Sequence, residues 1–301
     1  MKRLVGALLA LLILSAAHAQ PVAFPTREGD IAVEPDVAIH YVDAGDPGSP
    51  ATILFVPGWS MTTAVWRDQM AALAPAARVL AIDPRSQGRS TLTMRSNTPE
   101  RRAQDIRQVI RALSLRNVVL VGWSQGVQDV AAYASAFGGD GIAGYVLVDS
   151  AVSAGPAAAV AQPEQLRQQL ERMAIYGRYQ KEYLKGMMNA IIQSPQGRSR
   201  IDEFVDLGMR TPPDIGISML MNDFVLVDRR PALGKFNRPT LVIASAQSGE
   251  LEAQRQMAAQ IGNSQVEVVD QAGHAVFLDQ PERFRELLAG FLKRTQGSAG
   301  G

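Results

Sequence analysis

The chain alternates between two hydrophobic rhythms. Short runs rich in β-branched and other apolar residues, each closing at a turn signal, occupy positions 37–42, 52–56, 79–82, 118–121, 144–148, 240–244 and 266–269. Segments 118–121 and 145–148 are apolar at every position, so both faces of those strands require cover. Between the strands lie helical patterns at 99–113, 127–136 and 251–261. Pro99 followed by Glu100 suits a first helical turn, where proline has no N–H to lose and an acid meets the positive end of the helix. This alternation predicts an α/β fold with a doubly wound, mostly parallel sheet.

The rhythm breaks once. From about 153 to 231 no convincing strand occurs, but helical patterns do, at 163–176 and 178–192. This stretch reads as a helical insertion between two strands of one domain covering residues 20–301. The tail 295–301 is small and polar and is expected to lie outside ordered structure.

The N-terminus changes the expected compartment. Lys2 and Arg3 precede an apolar run over 4–17, and Ala17-His18-Ala19 supplies small residues at the cleavage-determining positions. That layout predicts a secretory signal peptide over residues 1–19, hence a periplasmic or secreted protein with no stable membrane anchor. Basic and acidic residues nearly balance, 30 against 29, which leaves no electrostatic case for nucleic acid or an anionic surface. With no cysteine, disulfides, thiol nucleophiles and thiolate metal ligands are excluded. Neither a metal nor a cofactor is expected, and nothing in the chain indicates its oligomeric state.

Candidate chemistry gathers at strand ends. Gly122-Trp123-Ser124-Gln125-Gly126 follows the run 118–121 and precedes a helix, the setting in which G-x-S-x-G exposes a serine hydroxyl. Serine needs a base. Of three histidines, His18 falls in the signal segment and His40 within an early strand, where a structural hydrogen bond is expected. His274 follows Gly273 in the loop after the last predicted strand and is the candidate base. An acyl-transfer site also needs donors for an oxyanion. The N–H of Gln125 offers one by position, and that of Trp59, in the turn Pro57-Gly58-Trp59, a second.

Four segments in order resemble the α/β-hydrolase superfamily: Pro57-Gly58-Trp59, its oxyanion turn; Asp83-Pro84-Arg85-Ser86-Gln87-Gly88-Arg89-Ser90, its D-x-R-G-x-G-x-S loop; the segment around Ser124; and Gly273-His274 with Gln280-Pro281. The resemblance covers nearly the whole chain after the signal segment. It implies a serine esterase-like site under a helical cap. Pro57 stands where the family usually has histidine, and Ser86 where it usually has glycine. The family's triad acid usually follows the strand over 240–244, yet that turn, Ser245-Ala246-Gln247-Ser248-Gly249-Glu250, holds no aspartate. Asp149, at the end of the preceding strand, is the first candidate for the acid, with Glu250 and Glu252 as alternatives.

The insertion is rich in methionine and tyrosine. Met187, Met188 and Met219, with Trp123 and Trp59, are expected to form apolar walls for a small to medium ester. A lactonase or cofactor-free perhydrolase would use the same residues. A ligand-binding or sensor protein on the same scaffold is the reading from a different class.

Overall fold

A computed structural model describes residues 26–297, so the signal peptide expected over residues 1–19 lies outside the described residues. Eight strands form one sheet in the order β1-β2-β4-β3-β5-β6-β7-β8. They are β1 Arg27–Glu34, β2 Val37–Ala44, β3 Thr52–Val56, β4 Arg78–Ile82, β5 Val118–Trp123, β6 Ile142–Val148, β7 Thr240–Ser245 and β8 Ser264–Val269. The pairs β1–β2 and β2–β4 are antiparallel, and every other pairing is parallel.

The fully apolar strands are those buried on both faces. Phe55, Val79, Val121, Val146 and Ile243 pack on one side with Trp66, Phe284 and Phe291. Their neighbours Leu54, Leu80, Leu120, Leu147 and Val242 pack on the other, against Ile106, Val109, Val130 and Tyr133. Period-two alternation thus feeds two helical layers from one set of strands. Strand β1 escapes the sequence pattern because it is a largely exposed edge with charged residues at four of its eight positions.

The helices of the main body are α1 Arg67–Leu73, α2 Pro99–Ala112 and α3 Gln125–Phe137, before the insertion. The insertion holds α4 Gly155–Ala161, α5 Pro163–Arg178, α6 Gln180–Ile191, α7 Pro195–Arg198, α8 Ile201–Gly208 and α9 Pro213–Phe224. The body then resumes with α10 Leu251–Ala259, α11 Val276–Asp279 and α12 Pro281–Gly297. Helix α2 starts where Pro99 predicts, with the Thr98 side chain accepting from the Arg101 N–H. The insertion is pinched at its base by a bridge between Ala154 and Asp228 and by the Arg229 N–H on the Ser153 carbonyl, 2.8 Å.

The expected unordered tail fails over residues 295–297, and residues 298–301 lie outside the described residues. Residues 295–297 continue α12, and Thr295 is buried with its hydroxyl on the Leu292 carbonyl. The apolar stripe of Phe284, Leu288, Phe291 and Leu292 docks this helix on the sheet and carries it through that polar end. Among the described residues, no helix is long and apolar enough to cross a membrane.

Candidate active site

Ser124 sits between β5 and α3 with φ 55° and ψ −117°, a conformation that costs a non-glycine residue about 1–3 kcal/mol. The surroundings enforce it. A Cβ on Gly122 would lie 2.3 Å from the Gly126 carbonyl oxygen, and one on Gly126 would lie 2.6 Å from that of Val56. The turn is therefore wedged against the end of β3, and both positions require glycine. A Cβ on Gly58 would come within 3.2 Å of the Ser124 Cβ, so the loop after β3 lies directly over the serine.

That loop is braced by Gln87, a fully buried side chain. Its amide oxygen accepts from the Ser60 N–H at 3.0 Å, and its nitrogen donates to the Met61 carbonyl at 3.0 Å and the Gly58 carbonyl at 3.3 Å. Among the described residues, the N–H groups of Trp59 and Gln125 meet no acceptor. Ser86 explains how the loop tolerates a missing glycine. It holds φ 62°, and its hydroxyl both donates to the Thr93 carbonyl and accepts from the Thr93 N–H. His40 is structural, as its strand position predicts, with Nδ1 3.1 Å from Asp30.

His274 Nδ1 lies 2.8 Å from Asp149 Oδ2. The other carboxylate oxygen of Asp149 accepts from the Ser245 N–H at 2.8 Å and from Gln254 Nε2 at 3.2 Å. Of the three candidate acids, the imidazole meets Asp149. Glu250 turns instead to the Ala151 N–H and the Ser150 hydroxyl, and Glu252 pairs with Gln256 in the next turn of α10. The last residue of β7, through its N–H, and Gln254 of α10 thus hold the Asp149 carboxylate in place.

The histidine loop is fixed from three sides. Trp123 Nε1 donates to the His274 carbonyl at 2.9 Å, and the Gly273 N–H donates to Asp279 at 2.7 Å. The Ala275 N–H reaches the Ile191 carbonyl at the end of α6. Asp279 also accepts from the backbone of Gln193 and Ser194, so one carboxylate joins this loop to the insertion. Ser124 and His274 line the same cleft, without a direct hydrogen bond between their side chains among the described residues. Free enzymes often hold such a pair loosely and tighten it around substrate.

The cleft corrects the expected apolar walls. Trp123, Met188 and Met219 have at most 1% exposure and pack in the core. Met187 packs half-buried beside them. The methionines seal the inner face of the insertion onto the body, and Trp123 points down from the elbow onto Phe277 and Trp66. Trp59 turns its ring under the cap, where Nε1 donates to the Gly216 carbonyl at 2.8 Å. The space around Ser124, about 510 Å³, is instead lined by Gln193, Gln247, Ser248 and Glu250 with Ile191 and Phe224. It adjoins a second lobe of about 810 Å³, sharing Phe224, Gly249 and Glu250, where Gln165, Gln169 and Arg172 face Met173, Tyr183 and Leu220.

Behind the elbow lies a buried charge network that sequence motifs did not reveal. Arg102 of α2 donates to Asp129 of α3 at 2.8 Å and to Asp223 of α9 at 2.7 Å, all three at most 1% exposed. Burial raises the Asp223 carboxyl and pushes that of Asp129 up to about 7, against the pull of Arg102. Burial opposes the charge on Arg102, but the two carboxylates outweigh it and hold the group above its ordinary value. These partners lie 27 and 121 residues from Arg102, so sequence spacing carries no trace of the contact.

The sequence profile of the alpha/beta hydrolase family matches residues 53–287. The chain belongs to this family. A bifunctional esterase/perhydrolase of Acinetobacter calcoaceticus is 32% identical over 123 residues, 40% of this chain and 44% of that protein. A non-heme haloperoxidase of Rhodococcus erythropolis is 36% identical over 104 residues, 34% of this chain and 38% of its own. The chain thus spans less than half the length of these two relatives. A non-heme chloroperoxidase of Kitasatospora aureofaciens aligns more fully, 27% identical over 89% of this chain and 98% of that protein. Among solved structures, the bromoperoxidase from Bacillus anthracis superposes with a TM-score of 0.76 at 22% identity, covering 89% of this chain and all of that one. A putative aryl esterase from Burkholderia cenocepacia gives 0.75 at 23%, over 90% and 100%. At these identities the structural likeness is one of fold.

Proposed function

We propose that this protein is a serine hydrolase of carboxylic esters, with Ser124 as nucleophile, His274 as general base and Asp149 as the orienting acid. The observation that carries the reading is the 2.8 Å contact of Asp149 with His274 Nδ1, in the cleft that Ser124 also lines. With Nδ1 as the donor to Asp149, Nε2 is left as the basic nitrogen available to the serine.

In the forward step Nε2 takes the hydroxyl proton as Ser124 Oγ bonds to the ester carbon. The carbonyl oxygen gains the charge, and the Trp59 and Gln125 N–H groups receive it. Collapse breaks the bond to the alcohol, which leaves with the proton from His274. Water, activated by the same nitrogen, then releases the acid and restores Ser124.

The two lobes suit a small to medium ester whose larger portion is of mixed polarity. The polar side chains near Arg172 offer hydrogen bonds that a purely aliphatic chain cannot use. The relatives named as esterase/perhydrolase and chloroperoxidase favour one second reading, in which hydrogen peroxide replaces water on the acyl-serine and yields a peroxy acid. Export to the periplasm or beyond remains part of the proposal, on the N-terminal pattern alone.

Hydrolysis of a p-nitrophenyl ester series from acetate to decanoate tests the reading, with peracid formation measured in parallel. Wild type should turn over at least the shorter esters, and Ser124→Ala and His274→Ala should not. A wild type that is inert on every ester and is not labelled by a fluorophosphonate would leave a binding or sensor role instead.

A further inference from the structure

We propose that Asp223 is a positioning residue for the oxyanion hole, through which the cap sets the Gln125 N–H. This rests on the reading of Ser124 as nucleophile and Gln125 as a backbone donor.

Asp223 is the penultimate residue of α9, the last helix of the cap, and its carboxylate is fully buried. One oxygen accepts from Arg102, and the other accepts from Gln125 Nε2. The Gln125 amide oxygen meets no donor among the described residues, so Asp223 is the single anchor of that side chain. Arg229, at the base of the cap, donates to the Asp223 carbonyl at 3.1 Å and to Glu100 at 2.8 Å, and fixes the end of the helix. The next residue, Phe224, faces the opposite way and lines both lobes of the cleft. Two adjacent cap residues therefore touch the substrate space and the residue after the nucleophile.

Adhesion alone does not account for this arrangement. The cap already holds to the body through Met188, Met219, Tyr176 and Phe204, all buried. Burying an ion pair costs desolvation that apolar packing avoids, so as glue it is a poor choice. What a carboxylate at this place adds is direction: it fixes one rotamer of Gln125 and with it the first peptide of α3. An oxyanion donor works only if its N–H is aimed before the charge develops, and removing one donor costs about 10²–10³ in rate. Slackening one should cost a part of that.

Gln125→Met keeps length and volume and cuts the tie while leaving Arg102–Asp223–Asp129 intact. We expect it to fold but to melt lower, because a buried Asp223 oxygen loses its donor, to lose about ten- to a hundredfold in kcat with KM within about threefold, and to label with a fluorophosphonate more slowly by a similar factor at temperatures well below the melt. Asp223→Ala should slow labelling as much in the wild-type background and add little in the Gln125→Met background. Labelling of Gln125→Met at the wild-type rate would overturn the proposal. So would an equal further loss from Asp223→Ala in both backgrounds, which would mean that Asp223 acts through cap docking alone. A wild type that does not label at all would instead overturn the serine-hydrolase reading, a separate and recognisable result.

Discussion

Asp149 and His274, 125 residues apart in the chain, meet at 2.8 Å because β6 and the loop after β8 end on the same edge of the sheet. The carboxylate leaves its strand with φ 45°, and the Ser245 N–H and Gln254 fill its second oxygen. The carboxylate that meets the imidazole thus comes from the end of β6, which lies beside β7 in the sheet.

Replacing Asp149 by Asn should therefore cost roughly 10³–10⁴ in kcat, since an amide would favour the wrong histidine tautomer. Glu250→Gln should stay within about fivefold, because its oxygen serves the Ala151 backbone and not the imidazole. Ester kinetics of the two variants side by side check this. A larger loss for Glu250→Gln than for Asp149→Asn would exchange their roles.

Gln87 carries three hydrogen bonds of the loop over Ser124. Gln87→Leu leaves buried backbone groups unpaired, at about 1–3 kcal/mol each before relaxation. It should lower both the denaturant midpoint and kcat. Unchanged turnover in a destabilised variant would mean that the loop holds its shape without the brace.

Met219 is a core residue, and its truncation should read as one. Met219→Ala is expected to cost about 2–5 kcal/mol of stability with KM nearly unchanged. Phe224→Ala should do the reverse, raising KM most for esters long enough to span both lobes. Melting curves and an ester chain-length series separate the two.

The raised carboxyl of Asp129 makes stability depend on pH in a definite direction. Between about pH 4 and 7 the folded chain holds a proton that the unfolded chain has released, so this group's contribution falls as pH rises and levels off above 7. With Asp129 protonated, Arg102 balances Asp223 and Arg229 balances Glu100. Asp129→Asn mimics the protonated group and should gain on wild type from pH 5 to pH 8 in denaturant melts. A difference that does not vary with pH would assign the proton elsewhere.

Much of this was legible in the sequence because it depends on local periodicity and local turn chemistry. Strands buried on both faces must be apolar throughout, so β3, β5, β6 and β7 announced themselves, while β1, exposed at an edge, did not. The elbow was visible because its strand–turn–helix setting is local, with Gly122 pressed on the Gly126 carbonyl four residues on, and His274 because few histidines compete for the role. Which carboxylate faces His274, that Met188 and Met219 pack into the core, and which charges meet behind Gln125 were decided only by the tertiary structure. Those relationships join residues on separate elements, and a side chain's partner across such distances is set by where helices and strands pack, which no spacing along the chain encodes.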